Sequence, residues 1–175
     1  MTDERSHAYA EALLAVARSE GSLADVEDEL FRFARLLEGN DELRTTLTDA
    51  ALPVSRRQQI VEDLLGGRAN PTTTALVSMV VGTGRSRDLP AIIDELVKLS
   101  AAEGNKEVAE VRSAVALTSD QQDRLRAALA NATGKNVNLK VVVDPTVLGG
   151  LVATVGDTVI DGTVRTHLDQ LKSRL

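Results

Sequence analysis

The hydrophobic period of this chain changes once, and that change constrains the fold more than any other feature. Up to about residue 103, apolar residues recur every three or four positions; from about residue 107 they alternate. The first spacing gathers side chains on one face of a helix, the second on one face of a strand. An α+β protein follows: an N-terminal six-helix bundle over residues 1–105, then a small C-terminal α/β domain over residues 106–175. A chain of 175 residues is long enough for two such domains, each with its own core.

Breakers separate the helices. Tyr9, Leu13 and Val16 form the first stripe, with Ser6 as its candidate N-cap and Gly21 as its stop. Ser22 then caps a helix carrying Leu23, Val26, Leu30, Phe33 and Leu37. Gly39-Asn40 ends it, and a short turn of helix holds Leu43 and Leu47. Pro53 opens the next segment, with Ile60, Val61, Leu64 and Leu65, and Gly66-Gly67 closes it. Asn70-Pro71 opens a helix with a wide apolar arc of Leu76, Val77, Met79, Val80 and Val81. Gly82 and Gly84 end it, and Leu89-Pro90 begins the sixth, with Ile92, Ile93, Leu96 and Val97.

In the tail, Ala109, Val111, Ser113, Val115 and Leu117 alternate as a strand. Ser119 with Gln122 reads as a capping box before a helix that ends at Gly134. Val137, Leu139, Val141 and Val143 make a second strand. Residues 151–155 and 158–160 make a hairpin about Gly156-Asp157. Val164, Leu168, Leu171 and Leu175 mark a last helix.

Composition excludes several functions. There is no cysteine, so disulfides, thiolate nucleophiles and thiolate metal sites are out. Tyr9, Phe31 and Phe33 are the only aromatics, too few for a base-stacking platform. Net charge is −6, and the acidic excess lies in residues 1–105, which argues against nucleic acid as a partner. The longest nearly apolar stretch, residues 75–81, is far short of a membrane span, so direct membrane insertion is not expected.

Chemical motifs are sparse. His7 and His167 lie in different segments and read as surface or groove residues. Gly82-Thr83-Gly84 lacks the rest of a phosphate loop and reads as a helix stop. Asp157 and Asp161 are a close acidic pair: either a general acid and base or cation site, or a hairpin turn and the start of the last helix. Arg56-Arg57 and Glu27-Asp28-Glu29 read as solvated faces. No catalytic residue, cofactor site or metal site is expected.

Two stretches carry a resemblance. The segment His7-Ala8-Tyr9-Ala10-Glu11-Ala12-Leu13-Leu14 resembles the opening helix of the ATP synthase delta subunit, or oligomycin sensitivity-conferring protein, family. Residues 142–151, with Asp144-Pro145-Thr146 and Gly149-Gly150, and residues 155–165, with Gly156-Asp157 and Asp161-Gly162-Thr163, resemble its C-terminal signature. Gly84-Arg85 before Leu89-Pro90 fits the link between the last two bundle helices. Thr163 stands where the family usually has serine, and His7 where arginine is common.

The resemblance implies a peripheral-stalk adaptor without chemistry of its own. Its bundle would hold N-terminal segments of the head's alpha subunits, and its C-terminal domain would meet the C-terminus of the stalk's b subunit. It would sit at the cytoplasmic side of the cell membrane as part of the proton-translocating synthase. An apolar groove for a partner helix would have Tyr9, Ala12, Leu13 and Val16 as one wall and Leu76, Met79 and Val80 as the other. Gly149, Gly150, Gly156, Asp157, Asp161 and Gly162 would shape the C-terminal domain, with Gly149-Gly150 as a close backbone approach. A free-standing helical adaptor would share the groove but has no reason to carry the C-terminal signature.

Overall fold

The structure, a computed structural model, describes residues 2–162. It divides into two compact units, Met1–Ser100 and Ala101–Leu175. The first holds helices α1 (Thr2–Ser19), α2 (Leu23–Gly39), α3 (Asp41–Thr48), α4 (Val54–Leu65), α5 (Pro71–Gly82) and most of α6 (Leu89–Glu103), with a short 3-10 turn at Ser86–Asp88.

The change of period at residue 105 marks the end of helix and the start of strand, but compactness divides the chain earlier. The last turn of α6 belongs with the sheet. There the Lys106 N–H donates to the Ala101 carbonyl at 2.8 Å, and Asn105 takes a φ of 51° to turn the chain into the first strand.

Apolar burial explains most of the helical unit. Val26, Leu30, Phe33 and Leu37 of α2 are buried as their spacing predicts, and so are Ile92, Ile93, Leu96 and Val97 of α6. Phe31 and Ala34 widen the buried face of α2. Helix α1 departs from expectation. Its buried face is Ser6, Ala10, Leu13, Leu14 and Ala17, while Val16 is 41% exposed and Tyr9 half-buried. Leu13 and Leu14 together with the small Ala10 and Ala17 set its orientation, and the small side chains let the helix pack close. Ser6 is thus an interior residue of α1, not its cap.

The acidic run on α2 is likewise not simply solvated. Glu27 is buried and accepts a hydrogen bond from the Ser100 hydroxyl at 2.6 Å. Glu29 Oε2 accepts from the Asn70 N–H at 2.8 Å and the Thr73 hydroxyl at 2.5 Å, satisfying groups at the start of α5. Arg57 is also buried, and donates to the Leu47 carbonyl at 3.4 Å.

The second unit builds a four-stranded sheet in the order β2-β1-β3-β4. Strand β1 (Glu107–Ser113) and β2 (Val137–Val143) are parallel, joined through α7 (Ser119–Thr133). Strand β3 (Leu151–Val155) runs antiparallel to β1, and β4 (Thr158–Asp161) returns beside it as a hairpin. Ala109, Val111, Leu129, Val137, Leu139, Ala153 and Val155 form the core between α7 and the sheet.

Three details differ from expectation. Strand β1 ends at Ser113, and Val115 is 66% exposed. The capping box is Thr118 with Gln121, one residue earlier than Ser119 with Gln122: the Thr118 hydroxyl accepts from the Gln121 N–H, and the Gln121 side chain accepts from the Thr118 N–H. Asp161 closes β4 rather than opening a helix. The expected helix with Val164, Leu168, Leu171 and Leu175, together with Thr163 and His167, lies outside the described residues.

Candidate functional site

The seven residues expected to form the groove divide by burial. Leu13, Leu76 and Val80 are 1%, 4% and 0% exposed, so they are core and offer a partner no surface. Helices α1 and α5 must each bury a face, and these side chains are on it. Ala12, Val16 and Met79 are exposed, and Tyr9 is half-buried.

On α1 the exposed residues Ala8, Ala12 and Val16 follow one another at single-turn spacing. On α5 the exposed residues Pro71, Ala75 and Met79 do the same. Each helix therefore presents a narrow apolar stripe on the side opposite its core face. The concave surface that Ala75 and Met79 line is a groove of about 880 Å³ whose other wall is α4, through Gln58 and Glu62, not α1. The Gln58 side chain fixes that wall by donating to the Ser78 carbonyl at 3.1 Å. A Cβ at Gly82 would meet Gln58 Nε2 at 2.6 Å, so glycine there leaves room for that amide against the end of α5.

Tyr9 links α1 to the segment after α5. Asp88 pairs with Arg85 at 3.0 Å and raises the guanidinium above its ordinary value, and the Tyr9 phenol adds to that effect. The ring of Tyr9 is half-buried, with its phenol in the vicinity of the Arg85 guanidinium.

In the sheet unit, the signature turn is held by its own polar groups. Asp144 Oδ1 accepts from the Thr146 hydroxyl at 2.6 Å and the Thr146 N–H at 2.9 Å, and Arg112 lies 3.5 Å from Oδ2. These contacts, the hydroxyl bond first, hold the Asp144 carboxyl below the usual carboxylate range. Gly149 and Gly150 follow with φ of 59° and 84°. Left-handed backbone is what requires glycine at both. Gly156 (φ 56°) and Asp157 form the tight turn of the β3–β4 hairpin, and Asp157 is exposed. A Cβ on Gly162 would sit 3.5 Å from the Leu151 carbonyl oxygen, an ordinary contact, so space does not demand glycine there. Asp157 in its turn and Asp161 in its strand gather no third ligand: among the described residues, no three His, Cys, Asp or Glu side chains converge as a metal site.

Residues 6–175 match the ATP synthase delta (OSCP) subunit family. The chain belongs to that family. It is 44% identical to the ATP synthase subunit delta of Nocardia farcinica over 94% of this chain and 61% of that protein. It is 44% identical to the Streptomyces avermitilis subunit, covering 93% of this chain and 59% of that one. For Beutenbergia cavernae the identity is 43%, over 94% and 60%. The chain thus spans about three-fifths of the length of these curated relatives. A chain in the cryo-EM structure of the Toxoplasma gondii mitochondrial ATP synthase hexamer shares the fold, with a TM-score of 0.55 at 23% identity over 97% of this chain and 96% of that one. Among the described residues, no helix is long and apolar enough to cross a membrane.

Sequence reasoning did not separate the exposed from the buried members of the expected groove, and it missed Glu29, Glu27 and Arg57, which tie helices together. Their signal is weak: only tertiary packing distinguishes a buried carboxylate from one on a solvated face.

Proposed function

We propose that this chain is a peripheral-stalk adaptor of a proton-translocating ATP synthase, joining the catalytic head to the stalk without chemistry of its own. The match of residues 6–175 to the delta (OSCP) family carries the reading. The helical unit receives an N-terminal segment of the head's alpha subunits on two exposed stripes: Tyr9, Ala12 and Val16 of α1, and Met79 of α5, which lines its own groove against α4. Leu13, Leu76 and Val80 support that surface from beneath. An amphipathic helix finds there what it needs: apolar stripes, small residues for close approach, and a methionine that adapts to its partner.

The sheet unit receives the C-terminal end of the stalk's b subunit. Val115, Val143 and Leu148 support this, all more than half exposed. The register pairs Ser113 with both Val143 and Leu151, so Val143 ends β2 at the end of the sheet where Val115 follows β1 and Leu148 precedes β3. The adaptor is held on the cytoplasmic side of the cell membrane, peripherally, through the complex it joins.

The test is calorimetric titration of the full chain with a peptide copying an alpha-subunit N-terminus. One-to-one binding is expected, weakened about tenfold or more by Val16→Asp, which sets a charge on the stripe, with a smaller loss for Tyr9→Ala. Binding unchanged in both variants rejects the α1 stripe as the docking surface.

A further inference from the structure

Both ring nitrogens of His7 face carboxylates. Nδ1 lies 2.8 Å from Oε1 of Glu95 on α6, and Nε2 lies 3.4 Å from Oε1 of Glu11, one turn further along α1. A neutral imidazole carries one N–H and one lone pair. It can donate to one of these carboxylates only by turning its lone pair on the other. An imidazolium donates to both, so the arrangement is complete only with a proton that histidine gains and loses near neutrality.

The surroundings favour that proton. His7 lines a recess of about 580 Å³ with Glu4 and Ser6 of α1 and with Ala91, Asp94, Glu95 and Lys98 of α6. Among the described residues, the charged groups facing it are four carboxylates, Glu4, Glu11, Asp94 and Glu95, and one ammonium, Lys98. Arg35 of α2 engages Asp94 at 2.5 Å, which leaves Glu95 and Glu11 as the direct partners of the ring. The bond to Glu95 is the largest cause of a raised His7 pKa; partial desolvation opposes it, and the charges of Glu11 and Glu95 reinforce it.

We propose that His7 is a proton-dependent clasp that pins the first half of α1 to α6. Pairing raises the folded-state value above the ordinary 6.5, so the stabilisation is whole below that value and is lost as pH rises through the folded one. Because α1 also carries Tyr9, Ala12 and Val16, an alkaline shift loosens the helix that receives the partner. That last consequence rests on the docking reading; the clasp itself does not.

The test is NMR on the full chain between about pH 6 and about pH 8.5, following the His7 ring and amide hydrogen exchange over residues 8–13. His7 is expected to titrate above 6.5. Protection of those amides, corrected for intrinsic exchange, falls several-fold across its titration. Glu95→Gln returns the ring toward its ordinary value and removes the fall, and His7→Lys keeps protection high and flat. Protection that is pH-independent in the wild type, or that falls equally in His7→Lys, overturns the clasp. The alpha-subunit peptide, titrated at both ends of the range, separates the two readings. If it binds at neither while protection still follows His7, the docking surface is wrong and the clasp stands.

Discussion

Asp144 is one carboxylate on which a whole turn depends. Its two bonds from Thr146 and its approach to Arg112 all favour the ionised form. The folded-state value is lowered from the ordinary 3.8, so the carboxylate's contribution is present above that value and lost as pH falls through the folded one. Carbon NMR of the side chain should show Asp144 titrating below 3.8 in the native protein, and Thr146→Val should move it back up. This residue was legible in the sequence because Asp-Pro-Thr is turn chemistry wherever it occurs. Arg57 was not. Nothing in Arg56-Arg57 says which arginine turns inward to the Leu47 carbonyl, since that choice is made by the rotation of α4 against α3.

At the scale of elements, the cap of α7 was readable to within one residue and the stripes to within one face, whereas Ser6, expected as a cap, lies inside α1, and the errors have physical reasons. Both Thr118 with Gln121 and Ser119 with Gln122 satisfy the capping-box pattern, and only the backbone before α7 decides between them. Thr118 is extended there, at φ −70° and ψ 161°, which aims its hydroxyl at the Gln121 N–H. Thermal or urea unfolding should therefore show Thr118→Ala losing about 1 kcal/mol, with Ser119→Ala losing a few tenths at most. Equal losses would return the cap to the serine. Helix α1 went astray differently. Its larger residues suggested the buried face, yet Ala10 and Ala17 lie in the core and Val16 does not. Periodicity locates an amphipathic helix, but in an alanine-rich one it gives the azimuth poorly, because an alanine marks neither side.

At the scale of the molecule, the division into a helical and a sheet-containing part was legible because a switch of period is a global signal, spread over many residues. The residues that close each core were mostly visible too, since Leu, Ile and Val at regular spacing have little else to do. The site was less legible: Leu13, Leu76 and Val80 match the groove pattern in sequence and the core in space. Separate cores predict separable damage. Leu96 is 0% exposed in the helical unit, and Leu96→Ala should cost that unit about 2–5 kcal/mol. Denaturation followed residue by residue should leave the amides of β1 and β3 opening as before. A loss shared equally by both units would mean that they unfold as one.

The strand order has a bearing on how the chain is made. Strand β1 is the first strand to leave the ribosome, yet it lies between β2 and β3. Neither neighbour is free to pair when it emerges: α7 must follow before β2 can pair with it, and the signature turn before β3 can. Every helix of the first unit is by then already synthesised, and its contacts can form during translation. The nascent protein thus passes through a stage with finished helices and a bare strand open on both edges, the form most prone to pairing with the wrong chain. Slow translation before β2 and β3 are free to pair prolongs that stage and is expected to raise misassembly.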